Sequence, residues 1–114
     1  EKDFPDYQFV VAGAPSQPIE NYKKIAGNEL KIIENKTYDL LRVSHSALVT
    51  SGTATLETAL LKVPEVVCYK GNAISYEIGK RIIKNIRFIS LVNLIMDKEV
   101  VKELIQYELT YENI

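Results

Sequence analysis

The chain has 114 residues, 46% of them hydrophobic and 25% charged, and a formal net charge of −1. That length bounds it to one domain or a piece of one, able to bury roughly two thirds of its unfolded surface. The near-neutral charge excludes nucleic acid as the main partner, since neutralising phosphates needs a basic excess, and no apolar run approaches the ~18 residues that span a bilayer.

The chain opens without methionine at Glu1-Lys2-Asp3, and Thr110-Tyr111-Glu112-Asn113-Ile114 reads as an interrupted helix start. Both ends are those expected of a piece of a longer protein. Tyr7 to Gly13 is a continuous apolar strand ending at a glycine. Pro18 takes a first helical position, Ile19, Tyr22, Ile25 and Ala26 form one apolar stripe, and Gly27 stops the helix. Leu30-Lys31-Ile32-Ile33 is a second strand. Thr37 caps a helix carrying Tyr38, Leu41 and Val43 inward. His45, the single histidine, closes that segment and has no cysteine or second histidine beside it for a metal site, so it reads as structural.

Ala47-Leu48-Val49 is a short buried strand, and Thr50-Ser51-Gly52-Thr53 is a small, hydroxyl-rich turn. A helix over 53–62 follows, with Leu56, Ala59, Leu60 and Val63 spaced i, i+3, i+4, i+7. A strand, a glycine turn and a helix leave open N–H groups and the positive dipole end at the strand's finish, which suits a phosphate. Glu57 lies four residues after Thr53, on the same helix face and leaning back toward the N-terminus. A carboxylate there suits ribose hydroxyls, from which it accepts hydrogen bonds. The same residues also serve plain helix capping and macrodipole complementation, and pattern alone leaves both readings open.

Pro64 opens the strand Glu65-Val66-Val67-Cys68-Tyr69, in which Cys68 is a small buried hydrophobe and not a nucleophile. One cysteine forms no internal disulfide, which fits a cytoplasmic home. Asn72 caps a longer helix with Ile74, Ile78 and Ile82 on one face and Lys80, Arg81 and Lys84 on the other. Ile86 to Ser90 is the last strand, Val92 to Met96 a loop or short turn, and 98–106 a final helix burying Val100, Val101, Leu104 and Ile105. Strands alternating with helices mean βα units and a largely parallel sheet, an α/β, Rossmann-like fold that binds ligands at the carboxyl ends of its strands. Three loops fall on that edge: Gly13–Gln17, Thr50–Thr53 and Lys70–Asn72.

The block Leu40 to Glu57, with its Ser51-Gly52-Thr53-Ala54-Thr55-Leu56-Glu57 run, resembles the lipid-A-disaccharide synthase family. So do Pro64 to Lys70 and Ile89-Ser90-Leu91-Val92-Asn93-Leu94-Ile95, and the resemblance covers about Tyr7 to Gln106. It implies a GT-B glycosyltransferase that moves 2,3-diacylglucosamine from its UDP derivative to 2,3-diacylglucosamine 1-phosphate in lipid A biosynthesis. This chain would be part of the C-terminal domain, residues 1–114 of a Rossmann-like half that holds the UDP-sugar donor. The acceptor pocket and the general base would lie in the absent N-terminal domain, so the piece alone is expected to be inactive.

Carried over by residue, Ser51, Gly52 and Thr53 would meet the diphosphate, Glu57 the ribose, Asn93 the nucleotide, and Lys70 a phosphate. For Lys70 the alternative is a solvated loop lysine, and for Asn93 a turn-forming asparagine. No cofactor is expected, and no residue is singled out as a metal ligand. The partners that the resemblance implies are the UDP-sugar donor and an acylated glucosamine phosphate acceptor, with peripheral association at the inner face of the inner membrane.

Lys80, Arg81, Lys84 and Arg87 either meet anionic headgroups or form a solvated helix face. Two departures stand out: Val92 replaces a usual proline, loosening the loop before Asn93, and Met96-Asp97-Lys98 puts a lysine where many members have arginine. The family's domain also begins with a strand that this chain lacks, so an isolated copy is expected to be oligomeric or rearranged. Other readings are a UDP-N-acetylglucosamine epimerase of GT-B type, which needs histidines and acids that His45 alone does not supply, and a non-catalytic α/β binding module. A receiver domain is a poor fit, because its acidic residues are missing after Ala12-Gly13-Ala14 and Thr50-Ser51.

Overall fold

A computed structural model describes residues 3–50, 52–72 and 87–114. The chain divides into two compact units, Glu1–Val43 and Ser44–Ile114. In the first, strand β1 (Val10–Gly13) pairs parallel with β2 (Lys31–Glu34), Val10 beside Lys31 and Gly13 beside Glu34. Helix α1 (Ile19–Ala26) makes the crossover between them. Pro18 stands just outside it, and Gly27 ends it at φ 77°, its N–H donating to the Lys23 carbonyl. Helix α2 (Thr37–Val43) completes the unit, and Leu41 is its one buried residue. Tyr38 and Val43, expected inward, are exposed; a unit of two strands and two short helices has little core, and only Leu41 of α2 enters it.

In the second unit β3 (Ala47–Val49), β4 (Glu65–Tyr69) and β5 (Lys102–Ile105) form a parallel sheet in the order β3-β4-β5. Helices α3 (Thr53–Leu60) and α4 (Leu91–Met96) pack on each other, and α3 also on β3 and β4. The core gathers Val49, Val63, Val67, Val92 and Leu104. The α/β class and the parallel pairing are as the sequence implies, but the strands fall in two sheets. Among the described residues no helix is long and apolar enough to cross a membrane.

Several sequence expectations are corrected. Residues 102–105 are a strand, not part of a helix. Val100, Val101, Leu104 and Ile105 mimic a helical stripe, but Leu104 and Ile105 sit beside Cys68 and Tyr69 in the ladder. Residues 87–90 are not a strand: the Ile89 and Ser90 amides donate to the Glu103 carboxylate instead of to a neighbouring strand. Val92 to Met96 lies in helix α4, and buried Val92 is held by that helix and not loosened in a loop.

Leu48, the middle residue of β3 and expected to be buried, is 58% exposed. The face of α3 turned inward is also different, for Leu60 is 80% exposed and the fully buried residues are Thr55 and Thr58. Their hydroxyls donate to the Gly52 and Ala54 carbonyls at 2.8 Å. Short side chains satisfied within their own helix tolerate burial and permit close packing. The helix expected after Asn72, with Lys80, Arg81 and Lys84, lies outside the described residues.

Candidate functional site

Two turns leave the carboxyl edge of neighbouring strands β3 and β4. Val49, the last residue of β3, lies beside Val67, so β4 continues two residues further before releasing Lys70-Gly71-Asn72. The third loop of interest, Gly13–Gln17, belongs to the first unit, where the Ala14 N–H donates to the Tyr22 hydroxyl at 2.8 Å.

The β3–α3 turn passes through Gly52 at φ 120° and ψ −160°, a region closed to residues with a Cβ, although open space surrounds the position. No side chain caps the helix that follows. The Thr55 N–H turns back to the Gly52 carbonyl at 3.3 Å, and the Thr53 and Ala54 amides at the helix mouth, first-turn donors with no carbonyl a turn earlier in the helix, have no partner among the described residues. Thr53 is exposed, and Glu57 is half-buried one turn later on the same face, opposite Thr55 and Thr58. The Glu57 carbonyl accepts the Leu61 N–H at 3.2 Å, while its carboxylate has no hydrogen-bond or ion-pair partner among the described residues. Ser51 lies outside the described residues.

Across the edge, Lys70 is exposed. Gly71 is held by a residue that the sequence reading passed over. The Gly71 N–H donates to Gln106 Oε1 at 3.1 Å, and Gln106 Nε2 donates to the Gly71 carbonyl at 3.3 Å. Gln106 directly follows β5 and is buried.

Asn93 has no exposed surface. Its Nδ2 donates at 2.8 Å to the Val101 carbonyl and to Glu103 Oε1, and its Oδ1 accepts the Val100 and Val101 amides at 2.7 and 3.0 Å. Those four bonds fill the capacity of a side-chain amide. Glu103 also accepts the Ile89 and Ser90 amides at 2.9 Å and the Ser90 hydroxyl at 2.8 Å. Burial alone would raise the Glu103 carboxyl, but these backbone and side-chain donors outweigh it and hold the group below the usual carboxylate range. A buried glutamate is invisible to a hydropathy reading because its donors come from residues 10 or more positions away. On β4, burial pushes the Cys68 thiol up, consistent with an inert, packed cysteine.

The family model for lipid-A-disaccharide synthetase matches residues 1–114. The chain belongs to that family. It is similar to the lipid-A-disaccharide synthase of Psychromonas ingrahamii, 42% identical over 118 residues that cover 99% of this chain and 31% of the relative. The synthases of Geobacter metallireducens and Coxiella burnetii are 37% and 34% identical, covering 97% and 96% of this chain and 29% of each relative. The chain thus spans about three tenths of the length of these family members.

Proposed function

We propose that this chain is the donor-holding part of a lipid-A-disaccharide synthase, residues 1–114 forming part of its C-terminal nucleotide-sugar domain. In that role the UDP diphosphate meets the Ser51-Gly52-Thr53 turn and the open amides of α3, with Lys70 adding positive charge from the neighbouring turn. Glu57 accepts hydrogen bonds from the ribose hydroxyls. The observation that carries the reading is that exposed Thr53 and the Glu57 carboxylate, which has no partner among the described residues, share the outward face of a helix that starts at the carboxyl edge of a parallel strand. Amides aimed at the diphosphate stabilise the charge that grows on UDP as it leaves the sugar. Asn93 serves the nucleotide by tying α4 to the segment that opens β5, since its own polar atoms are engaged.

The reaction of the whole enzyme would transfer diacylglucosamine to an acylated glucosamine phosphate, at the cytoplasmic face of the inner membrane. Turnover then needs an acceptor pocket and a base from the rest of the protein. Arg87, the described member of the basic cluster, pairs with Asp97 at 3.7 Å and lies over the Phe88 ring.

Calorimetry with UDP tests the donor role. Glu57→Ala is expected to weaken UDP binding about 10- to 100-fold, the worth of hydrogen bonds to a charged acceptor. An unchanged affinity removes Glu57 from the site. Strand edges at β1 and β3 further favour self-association, and light scattering after size exclusion is expected to give more than the 12.9 kDa of one chain. A stable monomer contradicts that.

A further inference from the structure

The Lys70–Asn72 turn is held at Gly71 by the amide of a side chain distant in sequence. Gln106, 35 positions away, forms a two-bond ring with the N–H and the C=O of Gly71. A primary amide presents one acceptor and one donor in a plane, so it pairs with a peptide unit as a strand would. Neither an aliphatic residue nor a carboxylate supplies both. Gln106 reaches this geometry from φ 52°, a left-handed conformation uncommon for a residue with a side chain. A Cβ added at Gly71 would meet the Tyr69 hydroxyl at 3.0 Å, so a side chain there would have to displace that ring. Position 71 therefore stays open for backbone pairing, while Lys70, its immediate neighbour, faces solvent.

We infer that Gln106 is a positioning residue for a nucleoside diphosphate: its amide, bonded to both polar groups of Gly71, sets the Lys70–Asn72 turn against the phosphates. This rests on the donor-pocket reading above. The turn contacts the diphosphate and not the nucleoside, so Gln106 contributes to UDP affinity and leaves uridine affinity alone. A residue that merely held the fold together would weaken both ligands equally.

The experiment is titration calorimetry of this chain with UDP and with uridine, for the wild type, Gln106→Met and Gln106→Glu. The wild type is expected to prefer UDP. Gln106→Met, similar in size but unable to bridge Gly71, lowers UDP affinity about tenfold and keeps uridine within twofold. Gln106→Glu supplies a second readout. At pH 8 its carboxylate accepts the Gly71 N–H but faces the Gly71 carbonyl without a proton. As the pH falls and the acid protonates, both bonds return, and UDP affinity rises relative to the wild type at the same pH. This series decides the matter if circular dichroism finds Gln106→Met unfolded. Unchanged UDP affinity, equal losses for UDP and uridine, or no recovery in acid overturns the inference while the donor reading stands. A wild type that binds no UDP overturns both.

Discussion

Glu65 begins β4 beside Ala47. Both of its carboxyl oxygens are buried, with no hydrogen-bond partner among the described residues. Burial raises its pKa to about 7, because an ion without donors costs more in that site than a neutral acid. Between the ordinary glutamate range and pH 7 the folded chain keeps a proton that the unfolded chain releases. Stability therefore falls as pH rises across that window and levels off above it. The loss is about 1–2 kcal/mol, scaled down from the full titration energy because the residue keeps partial contact with water. Urea unfolding from pH 5 to pH 8 measures it. Glu65→Gln is expected to flatten the profile and to unfold at higher urea than the wild type at pH 8. An equally steep profile in that variant assigns the slope to another group.

Between residue and fold stands the α4–β5 element, where Asn93 and Glu103 replace a ladder with side-chain bonds. Removing the Asn93 amide leaves the part-buried Val100 and Val101 N–H groups and part of the buried Glu103 carboxylate without their partner, and Asn93→Ala is expected to cost about 3 kcal/mol. Combined with Glu103→Gln, the loss is expected to be less than the sum, since the two share one network. Strict additivity in a double-mutant cycle contradicts a shared network. Acid sensitivity belongs to the same element. The folded state holds Glu103 ionised to lower pH than the unfolded chain does, so its stabilisation is complete above the ordinary glutamate range and is lost as pH falls through the lowered value.

The same element marks the limit of what could be read from residues alone. The strands β1 to β4 announce themselves through short apolar runs closed by glycine or opened by proline, and the parallel class follows from their alternation with helices. The turn at Gly52 and the face shared by Thr53 and Glu57 are equally local, fixed by helical spacing. By contrast, β5 is four residues with a buried glutamate in it, and the helix at 91–96 starts where Ser90 and Glu103 meet. Hydropathy assigns Glu103 to solvent and Val100-Val101 to a helix stripe, and only the long-range partners reverse both. Gln106 escaped for the same reason, since nothing near it in sequence predicts a bond to Gly71. Asn93 carried a visible signal, but whether its amide serves a ligand or the chain depends on partners seven to ten residues away.

At the scale of the molecule the two units differ in how much they bury. Among the described residues, Val49, Val63, Val67, Val92 and Leu104 are buried hydrophobics of Ser44–Ile114, whereas Leu41 alone represents Glu1–Val43. Two strands and two short helices around one buried leucine lie at the margin of independent stability, and α1 has no buried residue at all. Opening free energy scales with such buried apolar contact, so amides of β1 and β2 are expected to exchange with solvent through smaller openings than those of β4. Native-state hydrogen exchange measures this directly. Val67 and Cys68 on β4 should approach the slowest rates in the chain, with Val11 and Ile32 faster by about 10- to 100-fold, a gap of roughly 1.4–2.7 kcal/mol in opening free energy. Equal protection across both sheets would mean that the first unit draws stability from contacts beyond its own core, and self-association through the β1 edge would then be the first place to look, by repeating the exchange at lower protein concentration.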